Sequence, residues 1–171
     1  IGDPHLQNIH GERFDLMRPG KHVLLHIPRR ERVQHVLLRV EAEVRRSGGQ
    51  CADMYFQQLN ITGAWVNARQ AGGLRFQAQG VHAEHPKWLK FGKVELKVAH
   101  GRTVQGTQYL NFYIKHLDRA GFVVGGLLGE DDHTEAAAPE ESCAHRLSLL
   151  QVQALSAQSA SVFLAAEAPF A

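Results

Sequence analysis

The sequence predicts an all-β fold, an antiparallel β-sandwich with a short C-terminal helix or strand. Three observations predict it. Short runs rich in β-branched and aromatic residues recur along most of the chain, separated by Gly, Pro and Ser turn signals. Several of these runs alternate apolar with polar residues, the pattern of a sheet with one face on a core and the other in water. Helix signals are scarce until the end of the chain.

Taken in order, His22-Val23-Leu24-Leu25-His26-Ile27 predicts a strand, stopped by Pro28 and the charged run Arg29-Arg30-Glu31-Arg32. From Val33 to Val44 the chain alternates. Val33, His35, Leu37, Arg39 and Glu41 fall on one side, Gln34, Val36, Leu38 and Val40 on the other. A strand ending at the Ser47-Gly48-Gly49 turn follows from that pattern. Met54 to Thr62 predicts the next strand, and Ala64-Trp65-Val66-Asn67, beyond Gly63, its partner. Ala71-Gly72-Gly73 breaks the pattern before Leu74 to Ala78. Trp88 to Phe91 and Lys93 to Val98 alternate on either side of Gly92, and His100-Gly101-Arg102 marks a turn. Tyr109-Leu110-Asn111-Phe112-Tyr113-Ile114 is continuous and aromatic-rich, the expected centre of the core. From Glu135 the composition changes. Ala136-Ala137-Ala138-Pro139 reads as a loop or a helix start, and Ser148 to Ala168 as a terminal helix or a last strand around Ser161-Val162-Phe163-Leu164.

A chain of 171 residues can bury one sizeable core, so residues 1–146 are expected to form one domain and 147–171 an Ala- and Ser-rich extension completing or flanking it. The net charge of +2 nominates no nucleic acid as partner. The 11 histidines would add positive charge in an acidic compartment. No apolar run approaches the roughly 20 residues of a membrane span, so no transmembrane segment is expected. Without an initiator Met or a basic-then-apolar leader, Ile1 reads as the start of a processed fragment. Cys51 and Cys143 could pair, closing a loop of roughly ninety residues, or remain free thiols, and the sequence leaves both open. Asn60-Ile61-Thr62 is a glycosylation sequon. A secreted or otherwise extracytoplasmic chain is expected, with an organelle lumen as the alternative.

Two distant motifs narrow the fold. Gly2-Asp3-Pro4-His5, followed by Ile9-His10-Gly11-Glu12-Arg13-Phe14-Asp15, resembles the opening of a von Willebrand factor type D domain. Gly126-Leu127-Leu128-Gly129-Glu130-Asp131-Asp132 resembles the loop that closes it, with Leu128 in place of the family's cysteine and Glu130 in place of its asparagine. Phe112-Tyr113-Ile114 through Gly129 is also similar to the C-terminal region of inter-alpha-trypsin inhibitor heavy chains. The resemblance spans residues 1–145, with a poorly matched middle. It implies a non-catalytic binding or structural module of a larger extracytoplasmic protein, whose partners are other chains or domains of the parent. The family's dense cysteine framework is missing, so disulfide-linked multimer assembly is not implied.

The resemblance also implies an ion between the closing loop and the first strand. Its ligands would come from His10, Glu130, Asp131, Asp132 and His133. Calcium requires hard oxygens and is poorly served by His10, whereas zinc would accept His10 and His133; a solvated acidic loop with no ion is the third reading. Asp3, His5, Gly11, Gly126 and Gly129 are expected to be structural. His82-Ala83-Glu84-His85, followed by Pro86, reads as a solvated turn. No nucleophile elbow, phosphate loop or CxxC pair is present, so no catalytic residue is expected. The cluster of Arg29, Arg30, Arg32, Arg39, Arg45 and Arg46 would dock an acidic glycan or form a charged sheet face in water. Two further functional classes remain: an accessory subunit fixed in a large complex, and a histidine-rich transition-metal site with hydrolase-like activity.

Overall fold

The computed structural model describes residues 4–81 and 85–144. Asp3, the His82–Glu84 part of the expected turn, the expected boundary after residue 146 and the terminal helix or strand beyond Ser148 lie outside the described residues. The chain divides into two compact units, Ile1–Ala138 and Pro139–Ala171. Within the second, residues 141–144 form one helical turn, with the Cys143 and Ala144 amides both donating to the Glu140 carbonyl.

The first unit is all-β and sandwich-like. Its strands are β1 (His5–Gln7), β2 (Arg13–Asp15), β3 (Gly20–Ile27), β4 (Leu38–Arg46), β5 (Met54–Thr62), β6 (Leu74–Gln77), β7 (Leu89–Phe91), β8 (Val94–Arg102) and β9 (Gln108–Lys115). β1 and β2 pair as a small hairpin. The others form one antiparallel sheet in the order β3-β4-β5-β9-β8-β7, with β6 also paired to β5.

The alternation read from the sequence sets the faces. Leu38, Val40, Ala42 and Val44 of β4 are buried, while Arg39, Glu41 and Glu43 between them face outward. In β5 the buried positions change parity, from Met54 and Phe56 to Leu59 and Ile61. The cause is a bulge. Glu43 pairs with Gln58 and Val44 with Phe56, so Gln57 is an extra residue that returns the following apolar side chains to the core. β5 changes partner at the same point, meeting β9 at Phe56 and β6 from Gln58 onward. The sheet therefore forks at Gln57.

Four local expectations are corrected. Val33–His35 is a 3-10 turn rather than strand, and β4 begins only at Leu38. Ala64–Asn67 is a single helical turn, α1, rather than a strand. The amides of Ala64 and Trp65 donate back to the carbonyls of Val36 and Leu37, and the turn drives Val66 into the core. His100-Gly101-Arg102 continues β8, and the turn falls at Thr103–Thr107, where the two residues bond each other. In β9 only Leu110 is fully buried, so the core is centred on β3, β4 and β5 instead.

Cys51 and Cys143 are both disulfide-bonded, and as the chain's two cysteines they form one bridge. It closes a loop of roughly ninety residues in the unfolded chain, a contribution of about 4.6 kcal/mol on the chain-entropy account.

Candidate functional site

The closing loop begins where β3 ends. Arg29 and His26 donate their amides to Val123 and Gly125, and Gly125 donates back to His26. The Leu127 and Leu128 amides bond the Val23 and Leu24 carbonyls. The loop thus docks as an irregular extra strand along β3, burying Leu127 and Leu128. Its glycines are required by that approach. Gly126 has φ +87, and a Cβ there would lie 2.5 Å from the Leu24 carbonyl oxygen. A Cβ on Gly129 would lie 2.2 Å from the Val124 carbonyl oxygen.

The opening motif meets this loop. The Ile9 amide donates to the Leu128 carbonyl at 2.9 Å. His10 Nε2 bonds Glu130 Oε2 at 2.8 Å, joining positions 120 residues apart. Both side chains are more than a third exposed, so the pair adds only a few tenths of a kcal/mol. His10 is presented by a tight turn in which the Asn8 side chain accepts from the His10 and Glu12 amides and donates to Glu12. Gly11, at φ +80, completes the turn. Asn8 is buried, and sequence reasoning missed it; an Asn two residues before a His-Gly pair is the signal of such an Asx turn.

The remaining loop carboxylates turn to separate partners. Asp131 receives the Arg29 guanidinium at 2.7 Å and the Gly126 amide at 2.6 Å, one on each oxygen. Asp132 accepts from the Thr134 hydroxyl and amide, at the start of the helical turn α2 (Thr134–Ala137). Those two bonds, the hydroxyl first, hold its carboxyl below the ordinary aspartate range, aided by the charge of His133. His133 itself stacks on Phe14, with ring centroids 4.0 Å apart. The five expected ligands therefore lie in one region but do not converge. Among the described residues no group of three or more His, Cys, Asp or Glu side chains could hold a metal ion. Asp131 neutralises a cation of the protein's own, Arg29.

Other expected residues have ordinary partners. His5 pairs with Asp15 across the β1–β2 hairpin, both exposed. Asn60 sits mid-strand on the outer face of β5, its side-chain Oδ1 accepting from Gln58 and Arg75. His85 is exposed. The arginine cluster does not form one cationic face. Arg29, Arg39 and Arg45 pair with Asp131, Glu41 and Glu43, and Arg46 donates to the Ala52 carbonyl, while Arg30 and Arg32 stay exposed. His26, nearly buried, was also missed. Arg39 can only donate, so Nδ1 of His26 accepts from it, which makes Nε2 the donor to the Glu31 carbonyl.

No protein-family model matches the chain, and no curated protein matches it in sequence. Among the described residues no helix is long and apolar enough to cross a membrane.

Proposed function

We propose that the chain is a non-catalytic binding module of a larger extracytoplasmic protein, a cysteine-poor relative of the von Willebrand type D domain. The observation that carries this reading is the meeting of the two motifs. Ile9 and His10 of the opening segment bond Leu128 and Glu130 of the closing loop, as a domain defined by those two motifs requires. The disulfide favours an oxidising compartment. Arg29 pairs with Asp131 and His10 bonds Glu130 in the place where the family carries an ion. A hydrolase built on His10 and His133 would have to use an imidazole that is stacked on Phe14.

Three measurements test it. Thermal unfolding with and without chelator should give the same midpoint, and a drop on chelation would restore the ion to the loop. Turnover of activated esters by the zinc-supplemented chain, abolished by His10→Ala, would overturn the non-catalytic reading. Cross-linking of the intact parent protein should join lysines of this domain to neighbouring domains or chains; a domain that cross-links to nothing would count against a binding module.

A further inference from the structure

The ladder between β5 and β9 stops near the start of β5 and leaves an edge open. β5 pairs with β9 only at Phe56 and Leu110; in that antiparallel register the part of β5 paired to β6 lies toward Gln108, and the start of β5 at Met54 lies toward Phe112. Beyond Leu110, β9 has β8 on one side and, among the described residues, no strand on the other.

Hydrogen-bond parity identifies the exposed groups. The Thr103 amide donates to the Thr107 carbonyl, so in this register the odd positions of β9 bond β8. The N–H and C=O of Phe112 and Ile114 therefore face away from β8. Gln108, of the same parity, faces that side too, and its carbonyl takes the Gln57 side chain. In β1 the bonds Leu16 to Pro4 and Asn8 to Glu12 assign the even positions to β2. The backbone groups of His5 and Gln7 are thereby directed away from the hairpin. Ile9, next on that side, is the one taken by Leu128.

Between these edges lies an open groove of about 690 Å³, lined by β1 and by Phe112 to Lys115. A smaller hollow of about 280 Å³ continues it past Pro4 and Tyr109. Early residues of β1 thus lie opposite early residues of β9, and late opposite late. A strand entering between two edges that run the same way is antiparallel to both. It would join the hairpin to the main sheet without breaking its antiparallel pattern.

The two faces of the groove differ. The inner one is apolar, from Leu6, Phe112, Ile114 and Leu128. The outer one is cationic. Lys97 lies over the rings of Trp88 and Tyr113, at 4.9 and 4.7 Å, and Lys115 lies 3.9 Å over Trp88. In that register Lys90, Lys97 and Lys115 share the outer face with one acid, Glu95, while Asp118 lines the far end of the groove.

We propose that the groove between β1 and β9 receives an extended strand of a partner protein, alternating apolar with acidic side chains. Main-chain bonds to Phe112, Ile114, His5 and Gln7 would supply affinity, and the apolar floor and lysine face would select the alternation. This rests on the binding-module reading and gives it a surface and a partner class.

The test uses the full chain and a capped peptide alternating valine and glutamate. In the free chain the Phe112 and Ile114 amides should exchange rapidly with solvent. Peptide should slow both, and N-methylating its alternate amides should weaken binding about tenfold or more by removing main-chain bonds. Lys97→Glu with Lys115→Glu should reverse the preference toward a valine–lysine peptide. Amides already protected in the free chain would mean that the chain covers its own edge, and would overturn the proposal. So would binding that is indifferent to N-methylation, or no binding at all. Those outcomes leave the parent-protein cross-links untouched, so this surface can fail without the binding-module reading failing.

Discussion

Two stretches of strand edge in the main sheet, the border strand β3 and the far half of the internal strand β9, solve the same problem in opposite ways. At β3 the chain returns after more than a hundred residues and lays the closing loop along the strand, filling backbone bonds and burying Leu127 and Leu128. At β9 the ladder to β5 stops at Leu110, near the start of β5, and the described residues leave Phe112 and Ile114 half-buried beside a groove. An edge closed by the chain itself is a stability device; one left open is a place for another chain. Substitutions at the two edges should therefore separate folding from binding.

The largest effect is expected at Gly129. Its Cβ would enter backbone, not a movable side chain, so Gly129→Ala should destabilise by about 3 kcal/mol or more. Denaturant unfolding measures this directly. A loss below about 1 kcal/mol would mean the loop moves aside easily and is not a fixed closure.

A matched pair sharpens the contrast. Leu127→Ala removes a side chain only 8% exposed and should cost about 2–4 kcal/mol. Ile114→Ala, at the open edge, should cost about 1 kcal/mol, because that side chain keeps much of its solvent contact. Its larger effect should appear in binding of the valine–glutamate peptide. Equal losses of stability at the two sites would erase the distinction between the edges.

How much of this was legible depends on the range of the forces involved. The alternation of β4 and the apolar positions of β5 could be read locally, since a half-buried strand writes its faces into the sequence. The β1–β2 hairpin was missed because three-residue strands are too short to show a period. Ala64–Asn67 carried a strand-like Trp-Val pair, yet bonds to Val36 and Leu37 wound it into a turn. In β9 the run of aromatics suggested a core strand. Its exposure instead follows from where its pairing with β5 stops, at Leu110, which β9's own residues do not encode. The loop residues were found by motif, but their partners were not. That Asp131 would meet Arg29 depends on β3 and the loop lying side by side.

The Arg29–Asp131 contact gives a smaller prediction. Both side chains are more than a third exposed, so the ion pair alone should contribute about 0.5 kcal/mol. Asp131→Ala should cost more, about 1.5 kcal/mol, because the Gly126 amide loses its acceptor as well. Asp131→Asn keeps an oxygen for that amide and should fall between the two. Were Asp131→Ala no worse than Arg29→Ala, the loop would be held by its backbone ladder alone.

The smallest effect concerns pH. Thr134 donates both its hydroxyl and its amide to Asp132, stabilising the charged carboxylate over the protonated acid. The folded-state pKa is therefore depressed. The matching stabilisation is complete above the ordinary aspartate range and is lost as the pH falls through the lower folded value. Thr134→Ala removes the hydroxyl, the larger of the two causes, and leaves the amide. Following the Asp132 carboxyl carbon by NMR, the titration should move up toward the ordinary range without reaching it. An unchanged titration would assign the depression to the amide and to His133. Either way the contact is local to the start of α2 and should leave the β9 groove unaffected, so peptide binding by Thr134→Ala should match the parent chain across the same pH range.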